Sequence, residues 1–215
     1  MEDDLTKQRL KKLEELRKLK VNPYVYKFEK KDNSTDLIDE FKTLKNDERG
    51  KRNVSVAGRV MTIREMGKAS FGHIQDERGK IQFYIREEEV GEKAYEIFKL
   101  TDIGDIIGIK GKVFKTKTGE VTIRSETYEL LTKGIKPLPE KWHGLKDVEI
   151  RYRKRYLDLI SNPQIKEVFI KRMKIINAIR EFLVSNGYLE VDTPILQSIY
   201  GGTNARPFKS YLNNL

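Results

Sequence analysis

Between Val54 and Leu131 apolar residues recur at every second position in five short runs, a period that strands satisfy and helices do not. In the first run Val54, Val56, Gly58, Val60 and Thr62 share one face, with Arg59 and Ile63 on the other. The second runs from Ala69 to Asp76. The third alternates Ile81, Phe83 and Ile85 with Gln82, Tyr84 and Arg86. Glu77-Arg78-Gly79 between them has the composition of a turn, with Gly supplying a positive φ. The fourth run spans Ile106 to Phe114 and the fifth Glu120 to Leu131, joined by a turn at Thr116-Lys117-Thr118-Gly119. One helical pattern interrupts the series, Glu88 to Leu100, with Ala94, Ile97 and Phe98 as its apolar stripe.

Five short strands with a single helix between the third and fourth is the order of the five-stranded oligonucleotide-binding (OB-fold) β-barrel. Gly58, Gly72, Gly108 and Gly111 lie inside the strands, where Gly is expected only if the barrel bends or another backbone comes close. Upstream, Leu10, Leu13, Leu16 and Leu19 predict a helix over 5–20, stopped by Asn22-Pro23. Its expected role is a surface helix packed on its own domain; the alternative is that Lys7, Lys11 and Lys18 touch RNA. Leu37, Ile38, Phe41 and Leu44 predict a short amphipathic helix leading into the first strand. Downstream, Pro137 and Pro139 mark a linker, followed by the basic aromatic run Arg151–Tyr156, which reads as an RNA contact or as a structural hinge. Ser161-Asn162-Pro163 opens a long amphipathic helix, and Asn186-Gly187 closes it with an αL glycine. Tyr188–Val191 reads as a strand.

A net charge of +10 favours a polyanionic partner, a nucleic acid or an anionic membrane surface, over a neutral one. The competing reading is an ordinary Lys- and Glu-rich surface. With no Cys, a disulfide, a Cys-based zinc site and a Cys nucleophile are all excluded. His73 and His143 stand far apart, so no metal site is expected. Met1-Glu2-Asp3-Asp4 is unlike a signal peptide and no run approaches a membrane span, so the expected location is cytoplasmic, away from membranes. On the strands, Phe71 and Tyr84 offer rings for base stacking, Gln82 can donate and accept at a base edge, and Arg64 and Arg86 supply charge. Lys110, Lys112, Lys115 and Lys117 could meet phosphates. Taken singly, Phe71 could equally be core, and the lysines a solvated edge. No Walker loop and no Ser-His-Asp context is present. Gly201-Gly202 permits a close ligand approach and signals little alone.

Several strings resemble class II lysyl-tRNA synthetases, in family order: Gly67-Lys68-Ala69-Ser70-Phe71, Phe114 through Glu120, His143-Gly144-Leu145, Arg151-Tyr152-Arg153 and Arg155 through Ile160. Gly187 through Pro194 is similar to the first class II signature motif, and Gly201-Gly202 with Ala205-Arg206-Pro207-Phe208 to the segment after it. Aspartyl and asparaginyl enzymes share the architecture; the Phe114–Glu120 and Arg151–Ile160 strings point to the lysine enzyme. The resemblance implies an ATP-dependent ligase joining lysine to its tRNA. The barrel would bind the U-rich anticodon, with Phe71 stacking on the central base and Arg64, Gln82 and Glu120 reading base edges. Pro194 and the long helix would lie at a homodimer interface, and Gly201 and Gly202 in the lysine pocket. ATP and Mg2+ would serve the complete enzyme through motifs beyond residue 215, so this chain is expected to bind neither well and to hold no catalytic residue. Tyr200 replaces a usual Pro, and Tyr211-Leu212 stands where many members have His-His. The expected division is 1–53 helical segment, 54–134 OB-fold, 135–160 linker, and 161–215 the incomplete start of an α+β catalytic domain. The chain is therefore expected to be an amino-terminal fragment. The rival is a stand-alone tRNA-binding or regulatory module without catalysis; a third reading is an interaction role through the long helix.

Overall fold

The computed structural model describes residues 2–139, 145, 147–194 and 210. They divide into two compact units, Met1–Lys146 and Asp147–Leu215.

Helix α1 (Glu2–Lys18) opens the first unit. It buries Arg9, Leu13 and Leu16, while Leu5 and Leu10 remain exposed. The leucine spacing of three expected to form the stripe drifts by about 60° per step around a 3.6-residue helix, so the buried face follows spacings of four and three instead. The helix ends before Asn22-Pro23 is reached. Lys20 adopts φ 56, and Lys20 N–H donates to the Arg17 carbonyl and Val21 N–H to the Leu16 carbonyl, each at 3.0 Å. This Schellman turn stops the chain with Val21 packed on the core.

Helix α2 (Ser34–Phe41) buries Ser34, Leu37 and Phe41, as its pattern predicted. Asn33 makes no side-chain cap bond. Asp76, on the turn after the second strand, takes that role: its carboxylate accepts from Ser34 N–H (2.8 Å) and Ser34 Oγ (2.7 Å), and also from Arg78 and Gly79 N–H (both 2.9 Å). Burial pushes this carboxyl up, but those four donors outweigh it and hold the pKa down at about 2.

The strands are β1 (Arg49–Met66), β2 (Ala69–Gln75), β3 (Lys80–Arg86), β4 (Ile106–Lys115) and β5 (Val121–Thr132). They close in the order β1-β2-β3-β5-β4. β3 and β5 meet in parallel and the other pairs are antiparallel, so every strand has two neighbours. The expected OB-fold barrel is present, and β1 reaches back to Arg49, ahead of the Val54 start. The expected helix over 88–100 is broken into α3 (Glu87–Val90) and α4 (Glu92–Lys99) at Gly91, whose φ is 84. Tyr95 and Phe98 carry α4 into the core, where Phe98 stands edge-on to Phe83 (6.2 Å) and Tyr128 (5.6 Å).

One irregularity positions the site. β1 pairs Val60 with Ile74 and then Thr62 with His73, leaving Met61 as the extra residue of a bulge. The bulge inverts the alternation beyond it. Thr62, expected on the core face, turns outward to bond His73, and Ile63 turns in to pack on the core. Gly72, directly inside this turn, is enforced by contact: a Cβ there would stand 2.4 Å from the Phe83 ring and 2.5 Å from the Thr62 carbonyl.

In the second unit, α5 (Val148–Arg153), α6 (Arg155–Ser161) and α7 (Pro163–Ser185) follow one another. The basic run folds around buried Asp158, which accepts from Arg151 Nε (3.0 Å), Asn162 Nδ2 (2.6 Å) and Arg155 Nη1. Both guanidiniums are thus committed to a structural ion cluster. Helix α7 ends as expected, with Gly187 at φ 84 and Tyr188 N–H donating to the Leu183 carbonyl at 3.1 Å. The strand expected at 188–191 is not formed, since no ladder partner stands beside it among the described residues.

Candidate nucleic-acid interface

Alternation on β2 and β3 sends Ser70, Gly72, Ile74, Ile81, Phe83 and Ile85 inward and leaves Phe71, His73, Gln82, Tyr84 and Arg86 half-exposed outside. The outer residues, with the bulged end of β1 and the β4–β5 turn, line a cleft of about 950 Å³. Its floor is aromatic. Phe71 and Tyr84 are cross-strand partners with ring centroids 4.8 Å apart and tilted by 51°, and Tyr84 meets Phe114 edge-on at 6.1 Å. Its cations are Arg49, Arg64, Arg86, Lys117 and Arg124. Glu89 grips Arg124 through two hydrogen bonds, raising its pKa against the effect of burial, and Glu88 stands 3.1 Å from Arg86. Among the described residues no ion pair occupies Arg49, Arg64 or Lys117, so their charge faces the opening.

A polar row crosses four strands beside the rings. Thr62 pairs with His73, His73 with Gln82, and Gln82 with Thr122. Thr62 Oγ1 accepts the His73 backbone N–H (3.0 Å) and lies 2.8 Å from His73 Nδ1. In the neutral ring this directs the hydroxyl proton to Nδ1 and leaves the imidazole proton on Nε2, which faces Glu120 Oε1 at 2.8 Å. Gln82 Nε2 donates to Glu120 Oε2 (2.6 Å), and Gln82 Oε1 accepts from Thr122 Oγ1 (2.7 Å). Glu120 retains unused lone pairs and Gln82 one unused N–H. A flat apolar floor flanked by such an acceptor–donor edge suits an unstacked base.

Arg64, Phe71 and Gln82, singled out in the sequence, meet in this cleft. Glu120 joins them through Gln82 and also borders a smaller neighbouring hollow of about 310 Å³ with Lys42, Lys80 and Lys115. Of the four lysines, Lys117 lines the main cleft. Lys115 Nζ donates to the Lys42 (2.8 Å) and Leu44 (3.0 Å) carbonyls, Lys112 stands 3.9 Å from Glu126, and Lys110 lies 5.5 Å from the Phe28 ring. Gly201 and Gly202 fall outside the described residues; Pro194 is exposed at the edge of them. His73, Arg49, Phe114 and Arg124 were not singled out. His73 has the parity of Phe71, a signal that was available. Arg49 had none, because nothing in its polar surroundings marks a strand.

Residues 54–131 match the family model described as OB-fold nucleic acid binding domain, and residues 147–215 that described as tRNA synthetases class II (D, K and N). Curated relatives cover nearly the whole chain. The lysine–tRNA ligase of Carboxydothermus hydrogenoformans is 51% identical over 213 residues, covering 99% of this chain and 43% of that protein. The lysine–tRNA ligase of Thermoanaerobacter pseudethanolicus is 52% identical over 214 residues (99% and 42%), and that of Bacillus subtilis 49% over 215 (99% and 43%). The chain thus spans less than half the length of these relatives.

Proposed function

From a chain that belongs to the class II tRNA synthetases and carries their OB-fold nucleic-acid-binding domain, we propose the anticodon-recognition part of a lysine–tRNA ligase. The observation that carries this reading is the Phe71–Tyr84–Phe114 floor bordered by the Glu120–Gln82 edge and unpaired cations. Phe71 stacks on the central base of the lysine tRNA anticodon. Gln82 and Glu120 address its edge, and Arg64 and Lys117 neutralise the loop backbone. Lys110, Lys112 and Lys115 are placed less directly for phosphates. In this division 1–53 buttresses the barrel, 54–134 binds tRNA, 135–160 links, and 161–215 begins the catalytic domain. The whole protein would work in the cytoplasm as a homodimer, with α7 and Pro194 at the interface and Gly201 and Gly202 near the lysine. Helix α7 exposes Met173, Ile179 and Phe182, an apolar face that a second copy would cover in this reading.

ATP and Mg2+ would supply lysine activation in the complete enzyme. Among the described residues no group of three or more His, Asp or Glu could hold a metal ion, and no catalytic step is assigned to this chain. Incubated with lysine, ATP and tRNA, the 215-residue chain is expected to retain tRNA without charging it. The direct test is filter retention of lysine tRNA against an anticodon-swapped tRNA at two salt concentrations. Phe71→Ala should weaken retention by roughly 5- to 150-fold, the loss of one base stack. Unchanged retention would place the recognition surface elsewhere.

A further inference from the structure

Glu120 is a carboxylate at a base-reading position with little of its own to fix it. Its backbone is set by the β4–β5 turn, where its N–H donates to Thr116 Oγ1 at 3.0 Å. Its side chain is 45% exposed and rotates about three bonds. Two contacts hold it: Gln82 Nε2 at 2.6 Å on one oxygen and His73 Nε2 at 2.8 Å on the other. Gln82 also belongs to the base-reading edge, so it is engaged on both sides. His73 is committed to positioning. Thr62 binds its backbone N–H and its Nδ1, and Thr62 reaches the ring only because the bulge at Met61 turns it outward.

We infer that His73 is a positioning residue that locks the Glu120 carboxylate in one place and so makes the cleft selective for uridine over cytidine. The reason lies in the base edges. Uridine presents a donor at N3 beside an acceptor at O2; cytidine keeps the O2 acceptor for the Gln82 N–H, but its N3 accepts and its donor stands one position further along, at N4. The Glu120–Gln82 pair offers an acceptor beside a donor, which matches either base if the carboxylate slides by one edge position. With the ring held on Phe71 and the carboxylate clamped from two sides, only one register is met. A loose carboxylate meets both.

This inference rests on the anticodon-binding reading, and the experiment separates the two. The full chain is titrated with two RNA hairpins that differ by uridine or cytidine at the middle of the loop. The unmodified chain should prefer uridine by about tenfold or more. His73→Phe keeps a flat ring without a donor; the preference should fall below about threefold while cytidine-loop affinity stays within about twofold. His73→Gln, which places an amide N–H toward Glu120, should restore the preference, a rescue that a packing role would not produce. Thr62→Val, which frees the imidazole and leaves Glu120 untouched, should lower the preference as well, and it serves as the test if His73→Phe fails to fold. An unmodified chain without uridine preference, a full preference in His73→Phe or Thr62→Val, or no rescue by Gln overturns the inference. If Phe71→Ala weakens neither hairpin, the anticodon reading itself fails. If it weakens both while His73→Phe keeps the preference, only the role of His73 fails.

Discussion

Replacing Lys133 with Met should destabilise the first unit more than most single substitutions would. The Lys133 side chain is fully buried, and its ammonium donates to the Leu100 carbonyl (2.8 Å), Asp102 Oδ2 (2.5 Å) and Asp105 Oδ2 (2.8 Å), using all three of its protons. Asp105 is also fully buried; beyond Lys133 it has the Gly134 N–H (2.7 Å) and the Asp102 N–H (2.8 Å), both uncharged. Asp102 fares better, because Lys12 of α1 remains on it at 2.7 Å. Burial pushes the Asp102 carboxyl up, and hydrogen bonds from Lys12 and Lys133 overcome this and lower it. Met matches the length of the Lys stem but strands the Asp105 charge. Breaking a buried pair from one side costs about 3–5 kcal/mol, against a total of about 5–15 kcal/mol for a typical domain. With an m-value of about 2 kcal/mol/M, the urea midpoint should fall by about 2 M. The assay follows the near-ultraviolet circular dichroism, to which the buried Tyr95 and Tyr128 contribute, whereas Tyr152, Tyr156 and Tyr188 of the second unit are exposed. Adding Asp105→Asn removes the stranded charge and should recover about half of the loss. A midpoint shift below about 0.3 M, or a double variant as weak as the sum of its parts, would refute the account of an electrostatic clamp at this corner.

Two further outcomes follow from the packing and the charge. Gly72→Ala forces a methyl against the Phe83 ring and the Thr62 carbonyl and should cost about 1–3 kcal/mol, seen as a Tm lowered by several degrees; an unchanged Tm would show that β2 can move away freely. Asp76 titrates at about 2 when folded, below its ordinary 3.8. A depressed carboxyl stabilises the fold above its unfolded value, and that contribution, about 2 kcal/mol for a side chain this buried, is lost as pH falls from about 4 toward 2. In Asp76→Asn the gap to the unmodified chain should be constant above about pH 5 and close toward pH 2, as measured by urea unfolding across that range; a gap independent of pH would contradict the role given to the four donors.

Much of the barrel is legible in the amino-acid sequence. Alternation in Ile81–Arg86 assigned Phe83 to the core and Gln82 and Tyr84 to the outside, because neighbouring residues on an extended chain must point to opposite faces. The Asn186-Gly187 stop was equally local, since a left-handed residue at a helix end is a matter of one backbone position. The same reasoning misassigned Thr62, because a single inserted residue at Met61 inverts the parity and leaves no compositional trace. It also offered Lys115 as a phosphate contact, although its ammonium is engaged by two carbonyls about 71 and 73 residues away in sequence.

Local alternation is enough to fix five strands around an apolar interior and to put Gln82 and Tyr84 on the outer face, because successive side chains along a strand point to opposite sides. Closure of β3 against β5, the capping of α2 by Asp76 from 42 residues away, and the joining of Thr62, His73, Gln82 and Glu120 into one connected edge are products of tertiary packing. Those contacts join segments distant along the chain. Their geometry is set by strand register and by which polar groups burial compels to find partners, and neither is written in any local window of residues.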